Sequence, residues 1–471
     1  MLRKYIVTKL LENLEFQPTE SQAEMMGELG DYIASEDLSE IMLLKGYAGT
    51  GKTTLVNSLV KTLYSMKQKC VLLAPTGRAA KVLSAYTGNP AWTIHKKIYR
   101  QKSGKDGLGE FVLDRNLYKH TYFIVDEASM IGDRSHDSIF GTGDLVRDLL
   151  EYVDQGSHCR MILVGDTAQL PPVGLEVSPA LSRERLGQYG RRVREIELTD
   201  VIRQSAGSGI LHNATAIRTL ITGRREEYPE FSFEAFPDIT LLNGSELLDA
   251  ISDSYDRYGL EETIVVTRSN KRANRFNAGI RGQILWREEQ VSPGDLLMVV
   301  KNNYFWKDGE NRIDFIANGD IVRVERVLGN EEVHGHRFAD LQVSLPDYGD
   351  IDLEVKVLLD VIDLDSPSLP PDQQKSLYFS VAEDYPEVVS RRQVAQKIAA
   401  DPYFNALQVK FAYAVTCHKS QGGQWKSVFL DQGYFTEEML SIDYLRWLYT
   451  AFTRASEHLY LVNLAKQFTP R

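Results

Sequence analysis

Residues 42–54, MLLKGYAGTGKTT, decide how the chain folds. An apolar run reaches Gly46, turns through Gly49 and Gly51, and opens into LVNSLVKTL (55–63), whose apolar spacing is helical. Gly46, Gly51, Lys52 and Thr53 fit the G-x-x-x-x-G-K-[ST] spacing, with the required strand before it and helix after it. The glycines let backbone N–H groups close on phosphate oxygens, so Gly46, Gly49, Thr50, Gly51, Lys52, Thr53 and Thr54 form a phosphate cradle. Lys52 brings a cation to the β and γ phosphates. Thr53 offers Mg²⁺ a hard oxygen, and the helix start adds the positive end of its dipole. Alone, the loop says that ATP or GTP binds.

Outward from it, CVLLAPTG (70–77), TYFIVDEAS (121–129) and RMILVGDTA (160–168) are short apolar segments, mostly separated by helical periodicity. They predict an α/β unit over 1–190, a parallel sheet with crossover helices. Residues 88–120 interrupt it. They are turn-rich, basic and aromatic, and read as a small insertion with a hairpin near Ser103–Gly109. A second α/β unit is expected to begin near Glu195. It includes ETIVVTRSN (262–270) and a helix through Ile280, then resumes at ALQVKFAYAVTCH (406–418), SVFLDQGY (427–434) and a helix around Asp443–Arg454. Between these parts, Gly294–Pro346 reads as consecutive strands of a small β-barrel, and SPSLPPDQQKS (366–376) as a loop.

Composition sets the bounds. The 471 residues allow about two to four domains at roughly 100–200 residues each. A hydrophobic content of 43% with 25% charge excludes a disordered chain. Net charge is −11, so any nucleic-acid contact must come from a local track and not from a basic surface. Cys70, Cys159 and Cys417 are scattered and no C-x-x-C occurs, which argues for a reducing compartment and against a disulfide framework or zinc site. No apolar run reaches the roughly 18 residues of a membrane span. Lys9 and Glu12 break up the N-terminal stretch, which reads as an amphipathic helix rather than a signal peptide, so the expected location is cytoplasmic.

Two further strand ends carry the chemistry. In FIVDEAS (123–129), Asp126 is placed to hold Mg²⁺ and Glu127 to deprotonate an attacking water. In ILVGDTAQLPPVG (162–174), Gln169 can bond both the γ-phosphate and that water; Asp166 orients the loop, and Pro171 and Pro172 stiffen its exit. Arg203 in LTDVIRQ (198–204) and Arg454 in LYTAFTRA (448–455) are candidate arginine fingers. By chemistry alone each is equally a surface salt bridge.

The ordered set GYAGTGKTT, LLAPTGRAAKVL, FIVDEAS, ILVGDTAQLPPVG, LTDVIRQ, YAVTCHKSQGGQW and LYTAFTRA resembles the RecD-like and Dda-like helicases of superfamily 1B, over nearly the whole chain. The resemblance implies two RecA-like domains with ATP between them: one at 1–190, with a pin-bearing insertion at 88–120, and a second at 191–317 and 401–471. An SH3-like insertion would occupy 318–400. It implies ATP- and Mg²⁺-dependent 5′-to-3′ movement on single-stranded DNA, with unwinding of tailed duplexes. It makes Arg203 and Arg454 trans arginines and gives Gln22, in FQPTESQ (16–22), the adenine-reading role, for which an amide suits N6 and N7. The lesser alternative for this residue is a helix-surface amide after Pro18 and Thr19.

A strand track needs backbone contacts and stacking. Thr76 and Arg78 offer one cluster, and Thr416, His418 and Lys419 another on the other domain. Trp92 and His95, beside Lys96 and Lys97, form a third, although Trp92 can equally be core and His418 a structural histidine. Little chain precedes the Gln22 segment, which reads as a minimal, monomeric motor. The competing readings are a 3′-to-5′ motor of superfamily 1A, a nucleotide-gated switch that does not translocate, and an RNA substrate.

Overall fold

The computed structural model describes residues 1–14, 16–101, 111–133, 140–200, 207–307, 315–388 and 390–469. The first sheet has six parallel strands in the order Ala91–Thr93, Lys69–Ala74, Thr121–Val125, Arg160–Gly165, Glu40–Gly46, Arg192–Leu198. Its inner strands are apolar throughout because both faces are covered. Met42 and Leu44 pack with the helices Leu2–Glu12, Glu20–Ala34 and Lys52–Ser65. Ile41 and Leu43 face the opposite layer, with Phe123, Leu163 and Leu149. Helix Leu2–Glu12 buries Ile6 and Leu10, as its amphipathic pattern predicts.

Strand Arg192–Leu198 pairs with Glu40–Gly46 along its length. The first unit therefore runs past 190, and the second does not start near Glu195. This strand lies at the sheet edge and is only half-buried, so its charged alternation reads like the opening of a new element.

The second sheet is also parallel, in the order Ala414–Thr416, Thr263–Thr267, Trp425–Asp431, Ala455–Val462, Ile239–Leu242. A closed five-stranded barrel is inserted into it, built from Leu296–Val299, Ile321–Val333, His336–Leu345, Ile351–Leu358 and Leu407–Phe411. It takes one strand from each side of 318–400 and extends beyond Pro346. Closure leaves no sheet edge. Leu407–Phe411 is buried along its whole length, so it resembles a parallel-sheet strand in sequence. The stretch 366–376 is not all loop: helix Pro371–Ala382 begins within it, with proline in its first turn, where a missing N–H costs nothing.

In the 88–120 insertion, Tyr99–Gln101 pairs antiparallel with Phe111–Leu113. The hairpin expected at Ser103–Gly109 lies outside the described residues. Phe111 packs on Tyr304 with tilted rings, centroids 4.6 Å apart, and lies 6.1 Å from Phe315, so the insertion is tied to the segment between the barrel's first two strands. No helix among the described residues is long and apolar enough to cross a membrane.

Candidate functional site: a nucleotide cleft between two α/β domains

The phosphate loop leaves the C-terminal end of strand Glu40–Gly46, where open α/β sheets bind ligands. Gly49 and Gly51 have φ of 74° and 83°, a left-handed backbone that side chains disfavour. Helix Lys52–Ser65 starts at Gly51 with no side-chain cap, so its first-turn N–H groups are available to an anion. Lys52 Nζ donates to the carbonyls of Gly46 and Tyr47, both at 2.8 Å, and lies 3.7 Å from Asp166.

Gln22 closes a capping box with Thr19 at the start of helix Glu20–Ala34. Its Nε2 donates to the Thr50 carbonyl at 3.0 Å, and the side chain is buried. Gln22 therefore braces the phosphate loop, and it is not a helix-surface amide.

Two acids stand at the end of strand Thr121–Val125. Asp126 accepts from the Glu127 N–H at 2.9 Å and from the Tyr86 hydroxyl at 2.6 Å, and Thr53 lies near enough to influence that hydroxyl. Glu127 holds a left-handed φ of 53°, uncommon outside glycine. Burial pushes its carboxyl up, the Arg454 cation opposes this, and the Asp126 charge pushes it further up. Gln169 is 6% exposed and its Oε1 accepts no hydrogen bond, an orphaned buried acceptor beside the loop. The uncapped helix start, the paired Thr53 and Asp126 oxygens and this open acceptor fit a nucleotide with Mg²⁺.

The second domain closes the cleft from the helix Ile442–Phe452. The buried Tyr449 hydroxyl donates to Asp166 at 2.7 Å and accepts from the Ala48 N–H of the phosphate loop at 2.8 Å. One turn-neighbour away, Thr450 Oγ1 accepts from the Leu170 N–H at 2.8 Å, and Gln421 donates to the Leu170 carbonyl at 2.7 Å. Ala168 and Leu170 thus pack in the second domain's core although they belong to the first domain's loop. Arg454 is 3% exposed and donates to the Thr450 carbonyl, the Gly423 carbonyl and Thr453 Oγ1 at 3.0–3.1 Å. It is no surface salt bridge. Arg203 lies outside the described residues.

The expected strand contacts divide. Thr76 caps helix Gly77–Thr87 through the Ala79 N–H. A Cβ on Gly422 would come 3.1 Å from Thr76 Oγ1, so the turn that follows the second cluster meets Thr76 across the domain boundary. Thr416 opens the short helix Cys417–Ser420, His418 is exposed, and Lys419 donates to Asn318. Trp92 is 40% exposed, not core, with Lys97 4.5 Å from its ring centre. One expectation needs correction. His95 packs on Phe140 at 4.9 Å and on Tyr99 at 5.8 Å, and burial pushes its imidazole down to about 4. It is a neutral packing residue there. Arg78 lies over Trp425 at 5.0 Å, donates to the Gln424 carbonyl and pairs with Asp347, so it first serves as a tie between domains. The basic helix Asn270–Gly279 is likewise structural in part: Arg272 forms a two-toothed pair with Asp431 at 2.5 and 2.7 Å.

Residues 19–229 match the AAA domain family, and 411–462 the UvrD-like helicase C-terminal domain. The ATP-dependent RecD2 DNA helicase of Deinococcus radiodurans is 33% identical over 196 residues, 42% of this chain and 23% of that one. The ATP-dependent DNA helicase dda of Enterobacteria phage T4 is 27% identical over 297 residues, 60% of this chain and 62% of the other. Among solved structures, Bacteroides Pif1 helicase with ADP-AlF3 and ssDNA is 16% identical, with a TM-score of 0.47 over 97% of this chain and 95% of that one. Over these segments the chain is similar to the RecD2 and dda helicases. It spans under a quarter of the length of the Deinococcus relative.

In this cleft, sequence reasoning passes over two site residues, Tyr86 and Tyr449. Tyr449 had a signal: it lies in the LYTAFTRA segment, five residues before Arg454. Tyr86 had none, because its hydroxyl reaches Asp126 from a helix forty residues upstream.

Proposed function

We propose that the chain is an ATP-driven motor that moves 5′ to 3′ along single-stranded DNA and separates tailed duplexes. The observation that carries this reading is the bond chain Ala48–Tyr449–Asp166, which joins the phosphate loop to a helix of the other domain. A nucleotide at that loop bears directly on the contact between the domains.

In this reading Lys52 exchanges its two loop carbonyls for β- and γ-phosphate oxygens when ATP binds. Glu127 takes the proton of the attacking water, and Gln169 Oε1 accepts that water's second hydrogen. Arg454, with Arg203 from the undescribed segment, supplies charge to the leaving phosphate from the second domain. Thr53 and Asp126 would hold Mg²⁺, which would supply positive charge to stabilise the phosphate oxygens during transfer. Closing and reopening the cleft changes the spacing between the Thr76 cluster and the Thr416–Lys419 cluster, so each grips the strand in turn. DNA and the 5′-to-3′ direction rest on family likeness.

ATP turnover with and without oligo-dT, then unwinding of duplexes with 5′ or 3′ tails, tests the reading. Turnover is expected to rise strongly with oligo-dT and vanish in Lys52→Ala, and only 5′-tailed duplex should be opened. Turnover indifferent to oligo-dT would support a nucleotide-gated switch. Activity confined to 3′-tailed substrate would overturn the direction, and equal opening of RNA duplexes would remove the DNA preference.

A further inference from the structure

The barrel presents a turn, Pro346–Tyr348, to the start of helix Gly77–Thr87 in the first domain. Asp347 at its centre has a side chain only 1% exposed. Neither carboxylate oxygen accepts a hydrogen bond. Its counter-charges stand off: Lys81 Nζ at 3.3 Å and Arg78 Nη1 at 3.7 Å, both from that helix's first turns. The turn sits directly on the helix start. A Cβ on Gly77 would fall 2.4 Å from the Tyr348 hydroxyl and 2.6 Å from Asp320 Oδ1. Tyr348 donates to Asp320 at 2.8 Å and carries Lys96 3.7 Å above its ring.

A buried carboxylate without a hydrogen bond is poorly compensated, and a helix N-terminus with two cations is an anion site. Asp347 occupies that site without satisfying it. A phosphate offers more acceptor oxygens, in a geometry that arginine, lysine and helix N–H groups bond directly. Beside the site opens a cleft of about 560 Å³ lined by Lys81, Trp92, Lys96 and Tyr348. Trp92, 40% exposed there, offers a base a face to stack on.

We propose that Asp347 of the barrel occupies the strand-phosphate position at the first turn of helix Gly77–Thr87, beside Arg78 and Lys81, as an internal phosphate substitute until a single strand displaces it. This rests on the single-strand binding proposed above. Entry of the strand then requires the barrel turn to leave the first domain, so the barrel acts as a latch on the track. The latch lowers apparent affinity by the fraction of molecules in which it is closed.

Binding of fluorescein-labelled oligo-dT, followed by anisotropy, tests this in the full chain. Asp347→Asn keeps the shape and removes the charge; it should bind about five- to thirtyfold more tightly than the parent, at an unchanged melting temperature. Asp347→Ala must give a gain in the same direction, which covers the case in which the asparagine variant does not fold. Adding Lys81→Gln to Asp347→Asn should cancel most of the gain, because the phosphate then loses the cation that Asp347 released. Affinity unchanged or weakened in both Asp347 variants overturns the latch while leaving single-strand binding intact. A parent that does not bind oligo-dT overturns the proposed function and the latch with it.

Discussion

Tyr449→Phe isolates the contact between the phosphate loop and the second domain. The ring stays and the core keeps its volume; only the hydroxyl is lost. That oxygen makes two bonds, 2.7 Å to the 1%-exposed Asp166 and 2.8 Å from the Ala48 N–H. A hydrogen bond to a charged group contributes about 1.5–3 kcal/mol and a neutral one about 1 kcal/mol. Asp166 retains the Ala168 N–H at 2.9 Å and the Lys52 cation at 3.7 Å, so the loss is less than the full sum. A cost of about 2–3 kcal/mol on closing the cleft follows, or about 30- to 150-fold in the closing equilibrium.

Because both bonds cross between domains, the loss falls on closure and not on the folding of either domain. The assay is steady-state ATP turnover at saturating oligo-dT, with melting temperature measured in parallel. The expected outcome is a fall in kcat/KM of about 30-fold or more, with melting temperature lower by no more than a few degrees. In an Asp166→Asn background the same substitution should cost much less. Turnover within about twofold of the parent in a folded Tyr449→Phe protein would refute the reasoning, since the bridge would then carry no closing energy.

The remaining predictions concern groups around the same cleft. Glu127→Gln should lower kcat by about 10²- to 10⁴-fold with little change in ATP affinity, measured by turnover and nucleotide binding. Burial raises the Glu127 carboxyl, so the parent's turnover should rise with pH through a limb above the ordinary glutamate range, as the base loses its proton; a limb at ordinary carboxylate pH would count against this environment. Tyr86→Phe frees Asp126 and Thr53 to reorient, and a Mg²⁺ titration of turnover should show a requirement about tenfold higher. Burial pushes the Lys419 ammonium down to about 8, so its charge is present below that pH and lost above it. The salt dependence of oligo-dT binding should therefore be shallower by about 0.7 in log–log slope at pH 9 than at pH 7, and Lys419→Arg should remove the difference.

What could be read in advance follows the physics of each feature. The phosphate loop, Asp126, Glu127 and Gln169 stand at the ends of strands buried on both faces, where apolar runs stop abruptly at glycine or acid. That boundary is a strong local signal, and the structure places all four features in one cleft. The barrel was legible only in part. Leu296–Val299 and Leu407–Phe411 come from opposite sides of the insertion, and closure is a property of pairing that no single strand displays. His95 was misread because sequence reports ring type, whereas its role depends on Phe140, and the ties of Arg78 to Trp425 and Asp347 were illegible for the same reason: these partners are distant in the chain.

The two tyrosines sharpen this distinction. Tyrosine inside a helical apolar stretch normally reads as core, and for most of the ring that reading is right: Tyr449 is 1% exposed. Its function lies in one terminal oxygen, which the fold delivers to an aspartate more than 280 residues away in sequence. Tyr86 does the same for the metal-side carboxylate, from the helix whose first turn meets the barrel's Asp347. One rigid helix therefore has an acid at each end, Asp347 from the barrel and Asp126 from the nucleotide cleft. A strand that expels the first acts on the same element that orients the second. Asp347→Asn should therefore alter the Mg²⁺ requirement of turnover as well as DNA affinity, and Tyr86→Phe should abolish that cross-effect while leaving the affinity gain in place.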